Sequence, residues 1–170
     1  KKFLSLLTGI TPKNVTEPDS TLLRKVDEFL KDFFEACGAH IPGWEQMVSG
    51  KIPALDVREQ FVIGHAVWLE GLAVFARRAL FTGYLMNHGT PEEGVIQPDL
   101  ALWDRMGALA KINPGRDALM WQNRCVVLGK MQKTSDGVKS TAAKLLTLAN
   151  VPLTADMAEL EKRLEPEFLK

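Results

Sequence analysis

Apolar residues recur every three or four positions over two long stretches of this chain, and that spacing commits it to helices. Leu22, Leu23, Val26, Phe29, Leu30, Phe33 and Phe34 form one stripe, running to Ala36 with Gly38 as its stop. Asp19, Ser20 or Thr21 can cap its start. Phe61, Val62, His65, Trp68, Leu69, Leu72, Phe75, Ala76 and Leu80 form the second stripe, on a long helix capped by Asp56. Gly64 and Gly71 fall on nearly the same face of that helix and leave room for a close neighbour. Arg77 and Arg78 stand near its end, where positive charge suits the helix dipole. Stripes of this kind are what a core requires, and neither marks a ligand.

Breakers divide the rest. Leu4, Leu6, Leu7 and Ile10 make a short apolar segment, and Thr11–Asp19 reads as a loop with two prolines. Ile41-Pro42-Gly43 is a turn, and Trp44 to Val48 fit one short helical turn ending near Gly50. Tyr84–Gln97 is an irregular connection, after which Pro98 opens a helix carrying Leu100, Leu102, Trp103, Met106, Leu109 and Ala110. Asn113-Pro114-Gly115 interrupts it, and Asp117 can cap a short turn with Leu119, Met120 and Trp121. Val126-Val127-Leu128 is either a short strand or a buried extended piece between helices. Ser135 or Asp136 caps a helix through Leu148, which Asn150-Val151-Pro152 ends. Thr154 caps a last helix with Leu160 and Leu164 facing inward. The expected fold class is mainly α: one compact multi-helix domain over residues 1–170, with at most a minor extended or hairpin segment near 124–132.

A chain of 170 residues can bury a sizeable core. Its formal charge is zero, which speaks against a wholesale nucleic-acid binder but leaves room for a local basic face. Cys37 and Cys125 lie far apart with no CxxC or metal-ligand spacing, so they read as reduced thiols of a cytoplasmic protein. No apolar run approaches the roughly 18 residues that cross a bilayer, so no membrane partner is expected. The opening Lys1-Lys2-Phe3-Leu4-Ser5-Leu6-Leu7 is too short in its apolar part for a signal peptide. The missing initiator Met suggests a fragment of a longer protein.

Chemistry-bearing residues are sparse. His65 lies in an apolar helix without an acidic or thiol partner at metal spacing, and reads as a satisfied buried or half-buried histidine. His40 and His88 sit beside glycines in turns. Glu92 and Glu93 adjoin in a loop that positions neither as an acid or base. Gly115-Arg116-Asp117 lacks phosphate-loop spacing, and HExxH, GxSxG and Cys/His clusters are absent. No catalytic residue, metal ligand or cofactor is therefore expected, and the chain does not read as an enzyme. Charge is nonetheless uneven: from Asp104 to Lys144 eight Lys and Arg face three Asp. Lys130, Lys133, Thr134, Ser135 and Lys139 precede or open a helix, whose first amides favour phosphate. Such a block is more often a solvated face than a binding site.

The second half also resembles a known family. Ile112-Asn113-Pro114-Gly115-Arg116-Asp117, Trp121-Gln122-Asn123-Arg124, Gly129-Lys130-Met131, the Ser/Thr-rich helix start and Val151-Pro152-Leu153 are similar to the C-terminal part of the DndB family. These are DGQHR-domain proteins associated with DNA phosphorothioation. The match is closer over 102–153 and looser elsewhere, where Trp44 and the Arg58-to-Gly71 helix are compatible. The DGQHR signature itself is absent, and is expected in an N-terminal region outside this sequence.

The resemblance implies a transcriptional repressor of a DNA sulfur-modification operon, with double-stranded promoter DNA as partner. Arg116, Arg124, Lys130, Lys133 and Lys139 are then the expected DNA-binding residues, touching phosphates and so positioning rather than reading sequence. Trp121 is expected to be a core anchor, not a base-stacking platform. Other DNA-modification proteins and a second copy of the chain are further candidate partners. Two rival readings stay open: a helical protein-interaction module, and the helical part of an enzyme whose active site lies upstream.

Overall fold

A computed structural model describes residues 2–8, 20–81 and 100–164, and these are mainly helical, as the apolar spacing requires. The loop at Thr11–Asp19, the connection Tyr84–Gln97 with His88, Glu92 and Glu93, and Ile10 and Pro98 lie outside the described residues. The helices are α1 (Lys2–Thr8), α2 (Ser20–His40), α3 (Trp44–Val48), α4 (Ala54–Gln60), α5 (Ala66–Leu80), α6 (Ser135–Leu148) and α7 (Ala155–Leu164). Two 3-10 segments, Leu100–Lys111 and Leu119–Trp121, stand between α5 and a small hairpin. The hairpin pairs β1 (Val126–Val127) with β2 (Lys130–Met131), antiparallel, Val126 opposite Met131 and Val127 opposite Lys130. It falls inside the extended segment expected near 124–132.

α5 is the axis of the fold. Val67, Trp68, Leu72, Phe75, Ala76, Ala79 and Leu80 are all buried, on more than one face, which marks a helix enclosed by others. Its most extensive contact is with α6, and α1 and the first 3-10 segment also pack on it. Gly71 makes the α6 contact possible: a Cβ there would stand 2.8 Å from Thr141 Cγ2 and 3.3 Å from the Ala142 nitrogen. Arg105 donates to the Ala79 carbonyl at 2.7 Å, placing a cation at the C-terminal end of α5.

Aromatic rings link the elements. Phe29 of α2 meets Phe33, Phe81 and Trp103 at centroid distances of 5.6, 4.8 and 5.7 Å. Trp44 meets Trp68 at 6.3 Å, and Trp68 meets Trp121 edge-on at 6.3 Å. Each such pair contributes roughly 0.5–1.5 kcal/mol beyond area burial. Trp121 is fully buried, an anchor of the core.

The structure corrects several boundaries. The single long helix read from Asp56 to Leu80 is two helices, α4 and α5. Phe61 is extended, because the chain there pairs with the Asn-Pro-Gly break: Val62 N–H donates to the Pro114 carbonyl at 2.9 Å and Arg116 N–H to the Gln60 carbonyl at 2.7 Å. Gly64 therefore lies in the joint, not on the helix, with Val57 filling the space a Cβ would need. His65 precedes α5, and its Nε2–H donates to the Arg58 carbonyl at 2.9 Å, satisfying it across the joint. α2 runs through Gly38 to His40. α6 is capped by Thr134, whose Oγ1 accepts from Gly137 N–H at 2.9 Å, rather than by Ser135 or Asp136. Asn150, with φ 54°, takes the left-handed position that ends α6.

Candidate nucleic-acid interface

The Asn113–Asp117 break is built by local polar bonds. Asn113 Oδ1 accepts from Gly115 N–H at 2.9 Å, and the Asn113 carbonyl accepts from Trp121 Nε1–H at 2.5 Å. A Cβ at Gly115 would lie 2.8 Å from Asp117 Oδ1 and 3.0 Å from Asn113 Oδ1, so a larger residue there would push these two polar side chains aside. Gln122 Nε2 donates to the Arg116 carbonyl at 3.0 Å, which fixes the next residue.

Arg116 joins three segments. Nη1 donates to the Arg58 and Glu59 carbonyls, both at 3.4 Å, at the C-terminal end of α4, where a cation meets the negative pole of the helix. Nη2 donates to the Gly129 carbonyl at 2.6 Å, in the turn of the hairpin. Nε is buried without a partner. Beside the guanidinium runs an open cleft of about 910 Å³, lined by Glu59, Phe61, Asp117, Leu119, Gln122 and Gly129 among others.

The five expected phosphate contacts meet different fates. Arg116 and Lys130 are brought together, since Arg116 holds the residue next to Lys130. Lys130 is exposed and makes no ion pair among the described residues. Lys133 is 2.5 Å from Glu70, a carboxylate of α5 that is nearly buried. Lys139 is 2.8 Å from Asp156 at the start of α7, and its hydrogen bond holds the Asp156 pKa down to about 2. Arg124 is 4 % exposed and pairs bidentately with Glu161 of α7, with Nη1 also donating to the Ser140 carbonyl at 3.1 Å. A guanidinium so enclosed reaches no phosphate, and Arg124 leaves the contact set.

Three hydroxyls in and around the first half of α6 are also occupied. Thr134 caps the helix, and Ser140 and Thr141 are buried with their hydroxyls donating to the Gly137 carbonyl at 3.3 and 2.7 Å. The acidic partners Glu70, Asp156 and Glu161 were not foreseen from the sequence. They lie far along the chain from the cations they hold, and no local pattern announces them. The exposure of Leu128 at the tip of the hairpin was not foreseen either. Its signal was the Leu-Gly pair between two short β-prone runs.

Cys37 and Cys125 are free and buried. Burial pushes the Cys125 thiol up to about 11 and the Cys37 thiol further still. Among the described residues no group of His, Cys, Asp and Glu is arranged to hold a metal ion, and no helix is long and apolar enough to cross a membrane.

Comparison with known proteins places this chain in a family. No curated protein and no solved structure gave a match. The family model described as DndB, DNA-sulfur modification-associated, matches residues 3–151, from α1 through the hairpin to the end of α6. The chain therefore belongs to the DndB family of DNA-sulfur modification-associated proteins.

Proposed function

We propose that this chain is a DNA-associated regulator that represses a DNA sulfur-modification operon and has no chemistry of its own in this segment. Membership of the DndB family is the observation that carries the reading. The face that fits it is the hairpin and the Arg116 staple beneath it. Lys130 is the principal phosphate contact, because it is exposed and makes no ion pair among the described residues. Arg116 adds a hydrogen of Nη2 beyond the one given to Gly129. Lys133 and Lys139 contribute only by leaving Glu70 and Asp156. Contacts of this kind set position and affinity rather than sequence choice.

A salt titration of duplex binding tests the proposal. Each phosphate contact adds about 0.9 to the slope of log affinity against log salt. The expected slope is shallow, set by two or three contacts, and Lys130→Glu lowers it by about one contact. Unchanged binding in the Lys130→Glu, Lys133→Glu double variant overturns the assignment.

A further inference from the structure

Leu128 is the residue that the fold does least to justify. It is 94 % exposed, more than any other large apolar side chain among the described residues. Its backbone has φ 49°, and Gly129 follows with φ 71°. Two consecutive positive φ values are the signature of a two-residue hairpin turn, whose first position favours Asn, Asp or Gly. For a bulky apolar residue that conformation is sterically costly. Leu128 therefore brings the fold neither burial nor a comfortable turn.

The support under it is rigid. Gly129 accepts from Arg116 Nη2, Val126 is wholly buried, and Gln132 N–H donates to the Cys125 carbonyl at 2.9 Å. Asn123 N–H donates to the Val126 carbonyl at 2.7 Å on the other side. The hairpin thus holds one apolar side chain outward on a pinned base. Lys130 follows the turn directly and the chain holds no Asp or Glu from Ala118 to Ser135, while Glu59 and Asp117 line the cleft on the Gly129 side. Leu119, 69 % exposed, lines the same cleft as Gly129 and adds a second apolar group nearby.

An apolar knob beside an exposed cation matches the way architectural proteins enter DNA. They push an apolar side chain between base pairs from the minor groove while cations hold the flanking phosphates. A protein-docking hot spot differs, because it lies at the centre of a broad packed patch. We infer that Leu128 is a wedge that enters a base step of duplex DNA, with Lys130 holding the adjacent phosphate. This rests on the DNA-binding reading above. The step it enters is one that unstacks readily, TA or CA, so the wedge selects sequence by deformability without reading base edges.

The test uses the full chain with duplexes in which 2-aminopurine replaces adenine at TA or CA steps, with dyes at the two ends reporting bend. Leu128→Asn is the informative variant, since Asn-Gly suits the turn and keeps the hairpin. The wild type is expected to raise 2-aminopurine fluorescence at one step and to shorten the end-to-end distance. Leu128→Asn is expected to bind roughly tenfold more weakly, with both signals at the level of free DNA, while melting no lower than the wild type. Equal binding and no unstacking in either protein overturns the wedge and leaves the phosphate contacts standing. Loss of a protein partner with unchanged DNA signals overturns it in favour of protein docking. Failure of the wild type to bind any duplex removes both the wedge and the reading it rests on.

Discussion

Arg124 and Glu161 keep two opposite charges almost out of water, with side chains 2 % and 9 % exposed. Removing water from both charges is expensive, and the pair is held by two parallel bonds from Nη1 and Nη2 to the carboxylate and by the Ser140 carbonyl, which Nη1 also reaches, while Nε stays buried without a partner. Glu161→Ala strands a buried guanidinium and is expected to cost about 3–5 kcal/mol in urea denaturation. The apolar double replacement Arg124→Met with Glu161→Leu is expected to cost far less, because no charge is left unpaired. Equal losses in the two would show that the pair stabilises on its own account. The cysteines allow a second check at this scale. With the Cys125 thiol pushed up to about 11 and Cys37 higher, neither is a thiolate near neutral pH. Reaction with a disulfide reagent is expected only as fast as the protein opens, and stoichiometric in denaturant. A rapid burst in native buffer would contradict their burial.

Among the elements, α5 against α6 sets the shape, and Gly71 sets their separation. Gly71→Ala forces a methyl into Thr141 and the α6 backbone, and is expected to destabilise by about 1–3 kcal/mol by thermal or chemical melting. The same substitution at Gly38, where a Cβ meets nothing, is expected to stabilise α2 by up to about 1 kcal/mol. The helical stripes of α2 and α5 were legible because periodic burial leaves a periodic sequence. The joint at Phe61–His65 was not, since its apolar residues keep helical spacing while Val62 N–H goes to the Pro114 carbonyl and the preceding Gln60 carbonyl accepts from Arg116 N–H. A pairing between segments more than fifty positions apart leaves no mark in a local window. The Thr134 cap was missed by one residue for a similar reason: Thr134, Ser135 and Asp136 are all good caps, and packing of Gly137 against the Arg124 carbonyl selects among them. α7 depends on charge at its start. Asp156 has its pKa lowered, so its pairing with Lys139 is intact above the ordinary carboxylate range and is lost as pH falls towards about 2. Hydrogen exchange of the first turn of α7 is expected to rise over that acid window, with the α5 amides lagging behind.

For the molecule as a whole, zero net charge means that attraction to a polyanion comes from one face. The sequence showed that cations concentrate after the Asn-Pro-Gly break. It did not show that Glu70, Asp156 and Glu161 return in space to hold three of them, because ion pairing between distant elements depends on the finished fold. Lys130 is left exposed by the hairpin turn, and Lys133 is its nearest basic neighbour in the chain. On the proposed DNA-binding role, Lys133 is a contact in reserve, restrained by Glu70. Glu70 is 6 % exposed, so lifting Lys133 away leaves a carboxylate uncompensated in a poorly solvated place. A phosphate must compete with that penalty, and wild-type binding is expected to run without Lys133. Glu70→Gln removes the restraint while keeping the shape of the side chain. It is expected to tighten duplex binding at low salt and to steepen the salt slope by about 0.9, the signature of one added phosphate contact. Lys133→Ala in the Glu70→Gln background is expected to return the slope to its wild-type value. A slope that ignores Glu70→Gln would mean that Lys133 faces α5 and nothing else, leaving Lys130 and Arg116 to anchor the DNA.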